Sequence, residues 1–442
     1  MRDDWQTLGV ADLGRAIGAG EIDPAELTEA YLEAIAGHEY AGRIYSVVTP
    51  ERARAEAAAA SERARLGVRR GLLDGVPLSW KDLFDSAGDE TKSGSDLLAG
   101  RVPDEDCEVL ANATRAGMVC LGKTHMSELA FSGLGINPVT ETPPNIHDPE
   151  LVPGGSSSGA AASTAWGLAP AGIGSDTGGS VRIPSAFNDL VGLKTTSGRL
   201  SLTGVVPLCA RFDTVGPLAK SVEDCALLLA VMEGSKPTDL EGVSLKGRRF
   251  LVLDTYTDDV REEPAAGFAH AIDRMAQAGA QISHGTVDGI EAAMDLSPIL
   301  FTSEAYGTWK HAIEAAPEKM FPRILDRFRS GAGFAAADYV SAWQFLDHLR
   351  GDWAAQVAGY DAVLLPTAPN LPPHAGRLME DDDYYVTENL LTLRNTRVGN
   401  LMGLSALTIP TGVPGTGIML LGQPFGEEAL LRIGKAVETA LA

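Results

Sequence analysis

Apolar positions recur at helical spacing over residues 9 to 65, in LTEAYLEAIAGHE and in the Ala/Glu/Arg-rich ERARAEAAAASERAR, and predict a helical lead-in that carries no cluster suited to chemistry. From Leu72 to about Leu228 the pattern changes to short apolar runs separated by Gly/Ser/Pro-rich loops and helices, which is the signature of an α/β sheet core. A Pro/Gly-bearing connection, SKPTDLEGVSLKGRR, then leads into the strand-like FLVLD. Residues 262 to 358 read as helices carrying Phe301, Tyr306, Trp309, Phe321, Phe328, Trp343, Phe345 and Trp353, a stripe expected to pack the core and secondarily to wall a pocket. Near the end, DAVLLPTAP and SALTIPTG read as buried strands stopped by proline, followed by a terminal helix, GEEALLRIGKAVETALA.

Composition narrows the class of function. The 442 residues are 45% hydrophobic and 21% charged, enough to build a large core, and 59 acidic against 36 basic residues give a formal charge of −23. Such a field repels phosphate backbones and anionic lipids, so we expect neither direct nucleic-acid binding nor membrane association. Four cysteines, at 107, 120, 209 and 225, show no redox or zinc-ligand spacing and are expected to be reduced and buried, with no metal and no cofactor. An acidic amino terminus and the lack of an apolar run of about 20 residues predict a cytoplasmic protein.

Two formal motif matches mislead. Gly117 to Thr124 fits G-x4-G-K-[ST], but a helix precedes it and MVCL reads as the strand itself, so no phosphate loop is expected. Gly155-Ser156-Ser157-Ser158-Gly159 fits G-x-S-x-G, yet NIHDPELVPGG upstream is no strand, and none of the histidines at 270, 284, 311, 348 and 374 follows one.

The chemistry concentrates between Pro153 and Ser201. In GIGSDTGGS, glycines permit the backbone amides of Thr177, Gly178, Gly179 and Ser180 to turn inward as an oxyanion hole, with Ser180 beside it as nucleophile. A serine needs a base, and the candidate is Lys81, where the apolar run GVPLSWK can desolvate an ammonium group.

These elements resemble the amidase signature family. The resemblance covers about 72 to 226, including LGKTHMSELA and GLKTTSGRLSLTGVVPL, and returns over 361 to 436. It implies Lys81 as base, Ser156 in PGGSSSG as a bridging serine held by a cis peptide bond, and Ser180 as nucleophile, with Ser157 in support. It further implies the amides of Thr177, Gly178 and Gly179 as the oxyanion hole. Asp176 and Arg182 flank the nucleophile, either to meet a substrate carboxylate or, as an ion pair, to position the loop. Trp80 is a bulky neighbour of the lysine that would narrow the site.

The resemblance implies an α/β protein with one large mixed twisted sheet covered by helices, a single domain over 1–442. Its parts are a lead-in at 1–70, a signature core at 71–235, a variable, largely helical part at 236–358, and returning strands with a terminal helix at 359–442. The expected activity is hydrolysis of a small-molecule carboxylic amide through a Ser180 acyl-enzyme. The alternatives are the glutaminase subunit of a tRNA-dependent amidotransferase and an allophanate-type hydrolase. The family leaves room for a homodimer.

Overall fold

A computed structural model describes residues 5 to 442. Eleven strands form one mixed sheet: β1 (Tyr45–Val48), β2 (Pro77–Lys81), β3 (Val119–Thr124), β4 (Gly172–Ser175), β5 (Val191–Lys194), β6 (Val215–Ala219), β7 (Arg249–Leu253), β8 (Gln281–Gly285), β9 (Ala362–Pro366), β10 (Ala406–Pro410) and β11 (Gly417–Leu421). Their order across the sheet is β1-β3-β2-β4-β6-β5-β10-β11-β9-β7-β8. β2 runs parallel to both β3 and β4, and β7 parallel to both β8 and β9, whereas the central pairings are antiparallel. Strands β9 to β11 therefore return between the core strands and the β7–β8 edge.

Helices on both sides explain why the inner strands read as continuous apolar runs: β2, β3, β4, β5, β6, β9 and β11 are buried at every position. Helices in the lead-in and in the core start where local chemistry dictates. Asp23 caps Pro24–Gly37 by accepting from the amides of Ala25 and Glu26, and Ser221 caps Val222–Glu233 by accepting from Asp224, each such cap contributing about 1 kcal/mol. No helix among the described residues is long and apolar enough to cross a membrane, and all four cysteines are free and buried.

The structure adds elements that the pattern did not announce. β1 follows directly on a four-residue helix, β8 is a largely exposed edge strand, and β11 lies behind a glycine-rich turn. Residues 375 to 401 are three helices that hydrophobic periodicity does not reveal. Of the aromatic stripe, Phe328, Trp343 and Trp353 are buried, but Phe345 is 45% exposed and packs no core. The formal phosphate-loop match is a strand over Val119–Thr124, with the Lys123 ammonium 3.3 Å from Asp82 Oδ1 in the interior.

Candidate active site

Lys81 stands at the carboxyl end of β2, fully buried. Its Nζ lies 2.7 Å from Ser156 Oγ and 2.7 Å from Ser175 Oγ, and donates to both. Burial pushes its pKa down to about 7, against the opposing pull of the Asp213 and Asp176 carboxylates. Trp80 does not narrow this site. Successive strand residues point to opposite faces, so its ring packs edge-on against Phe84, with centroids 5.5 Å apart, and is absent from the cleft beside Ser180.

Ser175 is a member of the site that the sequence reading missed. It ends β4, the strand parallel to β2, and the two carboxyl ends lie side by side. The signal was present in GIGSDTGGS, as the last strand residue before the glycine turn. Its neighbourhood is tied together by Ser157, whose Oγ donates to the Ser175 carbonyl at 3.2 Å and accepts from the Ser175 amide at 3.3 Å.

Ser156 belongs to the loop that enters the helix Ser158–Ala165, and the Gly155–Ser156 peptide bond is cis. The tiny residues of this helix have a steric reason: a Cβ on Gly159 would fall 2.6 Å from the carbonyl oxygen of His125. The loop is also fastened by the Ser127 amide, which donates to the Ser156 carbonyl at 3.2 Å, and by the Ser157 amide, which donates to the Ser180 carbonyl at 3.3 Å.

Asp176 organises the turn that carries Ser180. Its carboxylate accepts from the amides of Gly179 at 2.9 Å and Val181 at 3.1 Å, from Asn400 Nδ2 at 2.9 Å, and from Arg182 through Nε at 3.0 Å and Nη2 at 2.9 Å. Burial alone would raise this carboxyl, but the guanidinium beside it overrides that effect and holds it well below the usual carboxylate range. Both side chains are fully buried and neither lines the cleft; their pairing ties the turn together from within.

One expectation changes here. The Gly179 amide is occupied by Asp176, because a carboxylate three residues upstream caps the turn. Among the described residues the amides of Thr177, Gly178 and Ser180 have no acceptor. Thr177 is held from its side chain, which donates to Asp213 Oδ1 at 2.5 Å; burial raises the Asp213 carboxyl against this bond and those from the Leu208 and Cys209 amides.

Ser180 is 4% exposed and lines a small cleft together with Thr177, Gly178, Phe131, Leu208, Phe301, Leu393, Arg327 and Arg397. Phe301 is thus the member of the aromatic stripe that reaches the pocket. The Ser180 hydroxyl makes no hydrogen bond among the described residues, and Ser156 Oγ meets only Lys81. Lys81, Ser156, Ser157 and Ser175 are joined directly, and Ser180 joins them through its backbone. No group of His, Cys, Asp and Glu side chains among the described residues is arranged to hold a metal ion.

The Amidase family model matches residues 26–431. The chain is 33% identical over 454 residues to 2-amino-5-chloromuconic acid deaminase of Comamonas testosteroni, covering 98% of this chain and 97% of that protein. It is 32% identical over 472 residues to the glutamyl-tRNA(Gln) amidotransferase A subunit of Roseiflexus sp. (strain RS-1), covering 98% and 96%. A solved structure described as an amidase superposes with a TM-score of 0.89 at 29% identity, covering 98% of this chain and 100% of the other.

Proposed function

The chain belongs to the Amidase family and is a hydrolase of carboxylic amide C–N bonds, and we propose that it acts through a Ser180 acyl-enzyme with Ser156 and Lys81 as the proton relay. The observation that carries this reading is the Lys81 ammonium, fully buried and held 2.7 Å from the Ser156 hydroxyl. With a pKa of about 7, Lys81 is neutral in a large fraction of molecules at neutral pH and can serve as a base.

In the proposed sequence, Lys81 takes the proton of Ser156 as Ser156 takes that of Ser180, and Ser180 Oγ attacks the amide carbonyl. The oxyanion sits against the free amides of Thr177, Gly178 and Ser180, with Gly179 shaping the turn at a φ of 137°. On collapse the C–N bond breaks and the relay returns the proton to the leaving nitrogen. Water, activated through the same relay, then hydrolyses the acyl-serine. Rotation of the Ser180 hydroxyl toward Ser156 on substrate entry completes the relay.

A second reading, the glutaminase subunit of an amidotransferase, is favoured by the similarity to one such protein along nearly the whole chain. Ammonia release from a panel of amides and glutamine, with and without candidate partner subunits, separates the two. For the shared chemistry, an electrophilic phosphonate is expected to label Ser180, and Ser180→Ala to abolish turnover while leaving thermal unfolding unchanged. Labelling at Ser157 instead would overturn the assignment.

A further inference from the structure

Two guanidinium groups stand at the wall of the Ser180 cleft with no carboxylate facing them. Arg397 lies on the helix Thr396–Leu401 and Arg327 on the helix Pro322–Arg329. Among the described residues, Arg397 makes neither an ion pair nor a hydrogen bond. Arg327 donates once, to the Phe131 carbonyl at 3.0 Å, and lies 4.4 Å from the centre of that ring.

Three other largely buried arginines are each met by a carboxylate. Arg52 pairs with Asp106, Arg63 with Asp74 and Arg182 with Asp176. With 59 acidic residues against 36 basic ones, partners are in surplus, so their absence here is local. The acids nearest the catalytic turn are already engaged, Asp176 by Arg182 and Asp213 by Thr177. Burial, and secondarily the like charge of Arg327, bring Arg397 down to about 9, which still leaves it cationic at neutral pH. An unpaired charge held in a protein wall is unfavourable until an anion arrives.

The remaining lining fixes the shape of that anion. Phe131, Leu208, Phe301 and Leu393 line the same small cleft as the arginines and Ser180, so the part of a substrate joining the two ends meets apolar side chains. The Arg397 stem runs close to the turn, since a Cβ on Gly178 would lie 4.0 Å from Arg397 Cγ. A planar guanidinium matches a planar carboxylate in a bidentate pair.

We propose that the substrate is an amide with a free carboxylate at its far end, joined to the amide carbonyl by a short apolar spacer, and that Arg397, assisted by Arg327, binds that carboxylate. The proposal rests on Ser180 being the point of attack.

The test compares glutaric and succinic acid monoamides with pentanamide and butyramide, their neutral counterparts. We expect kcat/KM for the acids to exceed that for the neutral amides by roughly 100-fold or more, as for sites built around a polar substrate group. Arg397→Met should collapse that preference to within about 10-fold, and Arg397→Lys should recover part of it. Calorimetry with glutarate is expected to show binding to the wild-type protein that weakens at least about 10-fold in Arg397→Met and in Arg397→Gln. Turnover of neutral amides as fast as the acids would overturn the carboxylate site while leaving the amidase reading standing. No turnover and no phosphonate labelling of Ser180 would remove the catalytic reading, and glutarate binding would then decide the anion site alone. Tighter binding of inorganic phosphate than of glutarate would also overturn it.

Discussion

Two lysines lie at the carboxyl ends of strands in the same sheet, Lys81 on β2 and Lys194 on β5, and both are buried to 1% exposure or less. Burial pushes each down to about 7. Their surroundings differ in kind. Lys81 Nζ meets two hydroxyls, Ser156 and Ser175, whereas Lys194 Nζ meets two backbone carbonyls, of Thr195 at 2.9 Å and of Leu404 at 2.7 Å. A hydroxyl accepts one proton while giving up another, but a carbonyl can only accept. A depressed lysine pKa therefore does not by itself mark a base; its neighbours decide whether a proton can leave along a chain.

The largest effect that tests this contrast is on turnover. Lys81→Met is expected to lower kcat by at least about 10⁴-fold with the fold intact, whereas Lys194→Met should stay within about tenfold of wild type. Equal losses at the two positions, with both variants folded by circular dichroism, would break the comparison.

Next comes Asp176→Asn, which leaves the buried Arg182 guanidinium without its counter-charge and loosens the turn that carries Ser180. We expect a loss of about 3–5 kcal/mol in urea unfolding, the range for breaking a buried pair from one side. A loss under about 1 kcal/mol would mean that the Asn400 side chain and the Thr396 carbonyl, which already accept from Arg182, suffice to hold it.

Ser175→Ala should act on the base itself. Removing one of two acceptors from the ammonium form disfavours the charged state, so the acid limb of the pH–rate profile should move to lower pH while kcat falls about 10- to 100-fold. A fall in kcat with an unmoved limb would show that Ser175 only packs the strand end.

The same two lysines show where the sequence was informative. Lys81, Ser156 and Ser180 were legible because each sits in a short contiguous signal: an apolar strand ending in lysine, and serines set in glycine turns whose backbone freedom has few other uses. Asp176 and Arg182 were legible as neighbours of Ser180, and the structure pairs them with each other six residues apart. Arg397 and Arg327 were not legible, because the cleft assembles them from helices far along the chain, where a lone arginine looks like any solvated charge. The helix Asp382–Arg394 was missed for a related reason. Its buried side holds Tyr385, Glu388, Asn389, Thr392 and Leu393, more polar than apolar, so it leaves no apolar stripe at helical spacing. Edge strand β8, exposed along most of its length, lacks a core-facing run to read.

The smallest effect is on stability against pH, and here the two lysines should behave alike. Each folded-state pKa lies near 7, below the unfolded value near 10.5, so between those values the unfolded chain holds a proton that the folded chain has released. Stability then rises with pH across that window, by at most about 1.4 kcal/mol per pH unit for each lysine. Below about 7 both states are protonated and the burial penalty is felt in full; above about 10.5 both are neutral and it vanishes. Lys220, brought down to about 8 by burial, adds its own slope from 8 upward, but it is present in every variant and cancels in the differences. Urea unfolding at about pH 7, 8, 9 and 10 should show Lys81→Met and Lys194→Met flattening the wild-type rise by the same one-proton amount, and the double variant by two. A flattening at Lys81 alone would mean that Lys194 keeps its proton in the folded protein, and the two sites would then differ in charge as well as in neighbours.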